Sequence, residues 1–551
     1  MACEDVQRAS VSAQGLRRYA LSVAKALPFA LGILGLVYYL LSLSPYTSGV
    51  DDTIYMLLAT AISKGQFLRA IHVVGSPPMQ YPVGLPLLVA PVVWLFPDFP
   101  ANLVYAELVP LAFAVLAIPL GYRLLQNQFA QSTTVLTLLV AWAALNYAST
   151  WYWTHVLMTE GVYLFFSLAA LLLASRIVVN RGKEIGYAIG AGLCAAAAYY
   201  MRIVGLCLIA AVLAWLALRR RWRAVAVAAT VFALLILPLV IREQLTGNSL
   251  ALDFYGRQFL LRDFWHPEQG SIQSPWELIP RLVNNLLGHA RESLPLLFFP
   301  TFTGTAVMTA LSRAGLEWVP FAAGVGALLL MAAGFVARLV QRGPGLIELY
   351  VILYMAMILA PPWVTYRNLI PILIFLGAYL AEGATLLGRW FERPGHRRKW
   401  GFYLVVGILG LSLASNLISG RHNLSAGAQF RAHGLYFRAP ERSVDEAAAW
   451  IRQNTPPEAI VFFRSPEEIY LRTGRQTVPA LASNLPYPIG LRPLDEVMQV
   501  IREQVDFVVV VDSPDDWQPR IRQAIEGDEQ AFRPIYRTSE QPPVIVYAVL
   551  R

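Results

Sequence analysis

Apolar runs of roughly 20 residues recur along this chain, each long enough to cross a hydrocarbon core of about 30 Å. LVYAELVPLAFAVLAIPLGYRLL, starting at Leu103, and AVAVAATVFALLILPLV, starting at Ala224, are two of them. A backbone in lipid must satisfy its own hydrogen bonds, so such runs are helices. Composition agrees: 56% of the 551 residues are hydrophobic and 14% charged, against about a quarter charged in a soluble domain. The fold class is an α-helical polytopic membrane protein. The formal net charge is +9, but the basic residues gather between apolar runs, as in cytoplasmic loops. That placement argues against nucleic acid as a partner. Cys3, Cys194 and Cys207 are the only cysteines, and two lie in apolar runs, so no disulfide framework is expected.

The start, MACEDVQRASVSAQGLRRYA, lacks the short apolar core and cleavage site of a signal peptide. Residues 1–24 are expected to be a retained cytoplasmic tail. LPFALGILGLVYYLLSL follows Arg17, Arg18 and Lys25 and crosses outward. YPVGLPLLVAPVVWLF carries Pro82, Pro86 and Pro91. It is read as interfacial or re-entrant, because a crossing there would put the basic loops outside. Ten further runs cross, about eleven in all, which places the loops 45–101 and 242–317 and the C-terminus outside. Residues 25–420 form the membrane domain. No internal repeat of comparable length stands out, which weakens a transporter built from matched halves.

Residues 421–551 change character. SVDEAAAWIRQNTPPEAIVFFR reads as a helix and a strand, with Ser443 and Glu446 at capping-box spacing and Pro456–Pro457 closing the helix. LDEVMQVIREQ and PRIRQAIEGD read as helices, DFVVVVD and PVIVYAVL as strands. The pattern predicts a small external α/β domain without a nucleophile motif, metal cluster or phosphate loop.

Just past the first crossing, SPYTSGVDDTIYMLLATAISKG places Asp51 and Asp52 before a helical pattern, Ile54, Leu57, Leu58, Ala61 and Ile62, broken by Thr53, Thr60, Ser63 and Lys64. That spacing predicts an amphipathic helix lying along the interface. Carboxylates suit its N-terminus, so the pair can be nothing more than a cap. A carboxylate at headgroup depth can equally act as a general base on a hydroxyl, and an adjacent acid raises its proton affinity.

An ordered series of motifs resembles the GT-C glycosyltransferases that use polyprenyl-phosphate sugars, among them protein O-mannosyltransferases and lipid A aminoarabinose transferases. DDTIY resembles their Asp-Glu-x-x-Tyr, and QYPVGLPLLVAP resembles their Tyr/His-Pro-Pro-x-Tyr-Pro stretch. MTEG resembles Ser-Glu-Pro, YYMRIVGLCLI resembles Thr-Arg-Pro-x-Gly, and TYRNLIPIL resembles Arg-Tyr-Leu-Leu-Pro. EAAAWIRQNTPPEAIV resembles the external tail of many bacterial members. The sequence departs in having Asp52 for Glu, no double proline in QYPVGLP, and Ile203 after Arg202.

The resemblance implies a GT-C-like membrane domain with external interfacial helices, in the cytoplasmic (inner) membrane of a bacterium, with the C-terminal domain periplasmic. It implies an inverting glycosyltransferase, hexosyl or pentosyl, carrying a sugar from a polyprenyl-phosphate donor to a glycan, lipid or protein hydroxyl. Asp51 matches the catalytic acid, and Asp52 would position the acceptor or tune Asp51. Arg202 and Arg367 would face the lipid phosphate, which needs positive charge opposite it, or snorkel to headgroups. Glu160 would pair with an arginine or line the cavity. Tyr55, His72, Tyr81 and Tyr366 complete the expected substrate-binding set. No cofactor is required, and a divalent ion stays open but unsupported: the acids are adjacent rather than Asp-x-Asp, and no His, Asp or Glu cluster has evident ligand spacing. A secondary transporter, with Glu348 as its buried acid, and a non-catalytic scaffold are the alternatives. The sequence names neither sugar nor acceptor.

Overall fold

The computed structural model describes residues 26–47, 51–79, 81–246, 256–264, 266, 269–391, 400–437, 439–479, 481, 494–512 and 519–551. The tail 1–24 with Cys3, and residues 392–399 of the basic loop RWFERPGHRRKW, lie outside them.

Each run expected to cross is helical. They are α1 (Ala26–Ser42), α4 (Leu103–Gln128), α5 (Thr133–Ala144) with α6 (Tyr147–Thr154), α7 (Glu160–Val179), α8 (Glu184–Met201), α9 (Gly205–Leu218), α10 (Trp222–Thr246), α15 (Val319–Arg342), α16 (Leu346–Leu359), α17 (Leu373–Trp390) and α18 (Trp400–His433). Six helical segments among the described residues are long and apolar enough to cross a membrane: α4, α7, α10, α15, α18, and α17 together with the 3-10 turn Tyr366–Ile372 before it. The run TVLTLLVAWAALNYAS breaks because Asn146 caps α6, accepting from Ser149 N at 3.1 Å, while its amide holds Leu297 O at 2.7 Å. The loop 242–317 carries α11 (Arg257–Leu260), α12 (Leu278–Gly288), α13 (Leu294–Phe298) and α14 (Thr305–Arg313).

Small residues set the closest approaches. A Cβ on Gly205 would fall 2.5 Å from Tyr199 N, so glycine permits the tight α8–α9 hairpin that presents Arg202. One on Gly161 would meet Pro110 O at 2.8 Å, which seats the start of α7 against α4.

Two elements of the first loop differ from expectation or refine it. The helix α2 (Asp51–Ser63) forms with both acids in its first turn, yet it does not lie on the surface: Thr53, Ile54, Tyr55, Met56, Leu57, Leu58 and Ala59 are all buried. Protein covers the faces that a membrane and water were expected to share. The helix α3 (Gly84–Leu95) contains Pro91. Twelve residues rise only about 18 Å, too short to cross.

The helix α18 runs unbroken through Gly420 to His433, so the C-terminal unit starts beyond it with α19 (Ala439–Asn454). Ser443 is therefore inside a helix rather than capping one. Glu446 instead accepts from the Tyr536 hydroxyl at 2.8 Å and Ser539 N at 3.1 Å. The sheet has the order β1 (Val461–Phe462), β2 (Phe507–Val511), β4 (Val544–Val549), β3 (Phe532–Arg537), with β1 and β2 parallel and the rest antiparallel. The strand β2 alternates with the period of two expected of a strand covered on both faces. Val508 and Val510 pack with α21 (Leu494–Gln504) and α22 (Pro519–Glu526), and Val509 and Val511 with α19 and α20 (Pro466–Thr473).

This domain clasps the first loop. Thr477 N donates to His72 O at 2.9 Å, Val74 N to Thr477 O at 3.0 Å, and Gln476 Nε2 to Ile71 O at 2.9 Å. Thr47 Oγ1 donates to Glu468 Oε1 at 2.9 Å.

Candidate active site

Asp51 opens α2, and both its carboxylate oxygens are engaged. The Tyr81 hydroxyl donates to Oδ1 and Arg367 Nη1 to Oδ2. Arg367 stands in the 3-10 turn Tyr366–Ile372 that leads into α17. Its Nε donates to Glu160 Oε1, the oxygen that also receives Arg202 Nη1. Arg202 follows α8 with extended backbone, φ −153° and ψ 136°, and its Nη2 reaches Asn368 Oδ1 at 3.0 Å. The Tyr354 hydroxyl fixes Asn368 through its carbonyl at 2.9 Å. Asp51 and Glu160 both sit in the first turn of a helix, where the unpaired N–H groups and the dipole favour a carboxylate.

Four separate chain segments thus meet in an alternating row of acid, base, acid, base. Glu160 is wholly buried, whereas the Asp51, Arg202 and Arg367 side chains keep 20%, 19% and 18% exposure. Glu160 is the internal anchor, and the other three can meet a substrate. Burial alone would raise the proton affinity of Asp51. The Arg367 charge and the Tyr81 hydroxyl outweigh it and hold the carboxyl below its ordinary value.

The first loop holds Tyr81 in place. Leu68 adopts φ +52°, a left-handed conformation costing a branched side chain about 1–3 kcal/mol. Its carbonyl accepts from Met79 N at 2.8 Å and Arg242 Nη2 at 3.1 Å, and Arg242 Nη2 also reaches Met79 O at 3.0 Å. The hairpin is pinned two residues before Tyr81.

Of the residues named from sequence, Asp51, Tyr81, Glu160, Arg202 and Arg367 are brought together. Tyr55 packs edge-on against Tyr81, with ring centres 5.2 Å apart. Tyr366 borders the site through Tyr152, 5.8 Å between ring centres. Two expectations need correction. Asp52 is buried and turns toward Glu107 of α4, whose charge it opposes, because successive helix residues point about 100° apart. His72 is fully buried under the C-terminal domain with its ring 3.6 Å from Glu467, so no substrate reaches it. Sequence reasoning missed Tyr152 and Asn368. The Arg367 guanidinium lies 5.6 Å from the Tyr152 ring centre. Tyr152 was hidden in the aromatic run TWYWTH, which resembles an interfacial belt. Asn368 directly follows Arg367, the one available signal. Glu348, the transporter candidate, is tied internally to Arg338 Nε at 2.8 Å and the Tyr379 hydroxyl at 3.2 Å.

Among the described residues, no group of three or more His, Cys, Asp or Glu side chains has the arrangement of a metal site. The two carboxylates at the centre already carry guanidinium counter-charges.

No protein-family model and no curated protein matches the chain. Solved structures do. The archaeal oligosaccharyltransferase AglB from Archaeoglobus fulgidus, in complex with an inhibitory peptide and a dolichol-phosphate, aligns with a TM-score of 0.54 at 16% identity, over 96% of this chain and 75% of that one. ArnT from Cupriavidus metallidurans in the apo state aligns at 0.55 and 13% identity, over 96% and 98% of the two chains. The same protein bound to undecaprenyl phosphate aligns at 0.52 and 12%, over 94% and 97%. Over nearly its whole length, the chain shares the fold of these oligosaccharyltransferase and ArnT structures.

Proposed function

We propose that the chain is an inverting glycosyltransferase that moves a sugar from a polyprenyl-phosphate donor to an acceptor hydroxyl at the outer face of the cytoplasmic membrane. One observation carries the reading: an accessible carboxylate, Asp51, is paired with Arg367, which a buried Glu160 holds together with Arg202. The lipid phosphates held by solved structures of this fold support the donor class.

In this reading the acceptor oxygen attacks the anomeric carbon from the side opposite the phosphate. The new C–O bond forms as the bond to the phosphate oxygen breaks, which inverts the linkage. The hydroxyl proton passes to Asp51, and the charge developing on the leaving phosphate falls on Arg367 and Arg202. Each arginine offers a planar fork of donors suited to phosphate. The bonds to Asp51 and Glu160 use Arg367 Nη1 and Nε, and a guanidinium carries five N–H donors, so its remaining donors can meet the phosphate. The phosphate's negative charge beside Arg367 offsets the pull of that guanidinium on Asp51, which raises the carboxylate's proton affinity as the substrate arrives. Glu160 keeps both guanidiniums in place meanwhile.

Incubation with a panel of radiolabelled polyprenyl-phosphate sugars and membrane extracts tests the proposal. Label from at least one donor should appear in a glycan, lipid or protein product. No transfer from any hexosyl or pentosyl donor would remove the reading.

A further inference from the structure

At the same end of the helical bundle, the loop 242–317 and Pro362 line an open pocket of about 290 Å³, close to the lower end of ligand-pocket sizes at ~300 Å³. Its walls come from three distant segments. Arg262 lies on one, Glu277, Arg281, Asn284 and Asn285 on and beside α12, and Pro362 on the third. These walls are fixed in advance. Arg281 donates to Phe259 O at 2.7 Å, to Ala360 O at 3.2 Å, to Arg262 O at 3.3 Å, and to Leu261 O. Asn285 Nδ2 holds Leu359 O at 2.8 Å and Pro361 O at 2.7 Å. These bonds tie α12 to the segment that continues into Arg367. The stretch from Pro362 to Arg367 spans at most about 17 Å, so the cavity opens within a short reach of the candidate active site.

The lining selects the ligand by its chemistry. Arg281 is consumed by carbonyl oxygens and has no fork left for a phosphate. Glu277 and Arg262 pair across the rim at 3.1 Å, and Glu277 would repel an anion. Asn284 makes no side-chain hydrogen bond among the described residues, and an amide both donates and accepts. A mixture of donors and acceptors, with little apolar lining, suits hydroxyl groups, which also do both. It does not suit a lipid tail or an apolar peptide side chain.

Resting on the transferase reading, we propose that this cavity is the acceptor subsite and takes a polyhydroxylated glycan segment, which makes the acceptor an oligosaccharide. Asn284 and the Glu277–Arg262 pair bind its hydroxyls and present the reacting one toward Asp51.

The test is binding without donor. Detergent-solubilised wild-type protein is applied to an array of bacterial oligosaccharides and Ser/Thr peptides. Wild type and the Asp51→Asn protein should retain the same glycans. Asn284→Ala should hold them roughly tenfold more weakly, the scale of a hydrogen bond or two, and Asn284→Trp, which fills the cavity, should hold none. Melting temperature should stay unchanged in both, since Asn284 supports no other group. Retention of no glycan, equal retention by the Asn284 variants, or Asn284-dependent retention of peptides instead would each overturn the proposal. Glycan binding that depends on Asn284 in a protein with no transferase activity would uphold the site and sink the transferase reading alone.

Discussion

Arg367 bonds Asp51 through Nη1 and Glu160 through Nε, and the charged row around it sets what substitution should do. Arg367→Ala should weaken donor binding by about 1.5–3 kcal/mol, the worth of a hydrogen bond to a charged group. Arg367→Lys should recover only part of that, because lysine lacks the planar fork. Isothermal titration with the donor identified by the labelling panel reads both, and wild-type affinity in the alanine variant would remove the phosphate role. Glu160→Gln should behave differently. It leaves two guanidiniums against one exposed carboxylate, and breaking a buried pair costs about 3–5 kcal/mol, so a large fall in melting temperature should precede any kinetic effect. Asp51 has a depressed proton affinity, so the stability it contributes is present above its unfolded value near 3.8 and lost as pH falls below that. The row was largely legible in the sequence because each member follows a span boundary, where a charge is costly and hence informative. Residues whose position depends on tertiary packing were not. His72 looked available in an external loop until the C-terminal domain covered it, and Asp52 looked placed to position the acceptor or tune Asp51 until the fold buried it beside Glu107.

Helices were legible from their apolar length, but their faces were not. The pattern of α2 suggested an interfacial helix because a sequence shows which residues are polar and not what covers them. Asn146 broke a run that hydropathy alone made continuous, and β3, with Pro534 and two arginines in FRPIYR, carries no strand period. Close helix pairs depend on glycines that composition scarcely marks. A Cβ on Gly334 would meet Tyr379 O at 2.0 Å, and one on Gly383 would meet Leu330 O at 1.9 Å, so α15 and α17 touch backbone to backbone. Gly334→Val or Gly383→Val should destabilise the protein by about 1–3 kcal/mol or more through overpacking, seen as a lower melting temperature in detergent. An unchanged value would mean that the two helices are not so close. The clasp between the first loop and the C-terminal domain should respond to pH. Burial lowers His72 to about 4 from 6.5. Its contribution is therefore complete above about pH 6.5 and is lost as pH falls toward 4. Hydrogen exchange in residues 69–78, corrected for intrinsic rates, should rise between pH 7 and 5 in wild type and less so in His72→Gln. Equal rises in both would assign the pH response elsewhere.

The whole chain is needed to build the site. Asp51 follows the first span, Glu160 and Arg202 come from the middle of the bundle, and Arg367 precedes α17. Only the complete fold closes the row, and the C-terminal domain then braces the loop that carries Tyr81. The sequence conveyed the end on which these residues gather through the parity of its spans. It conveyed little of the domain's role, because backbone hydrogen bonds such as Thr477 to His72 leave no mark on residue type. Sidedness follows from the same parity: cysteines placed at Gln269 and Glu529 should react with an impermeant thiol reagent in intact spheroplasts, and one at Gly182 should not. The reverse pattern would invert the map. The most direct measurement of the account is single-turnover transfer from the identified donor by wild-type and Asp51→Asn protein, with melting temperatures taken in parallel. Asparagine keeps the carboxylate's shape but loses the charge that faces Arg367 and cannot take the acceptor's proton. The account predicts a rate lower by roughly 10²-fold or more in a protein that stays folded and melts below wild type only by the loss of that ion pair. Near-normal transfer by Asp51→Asn would contradict it.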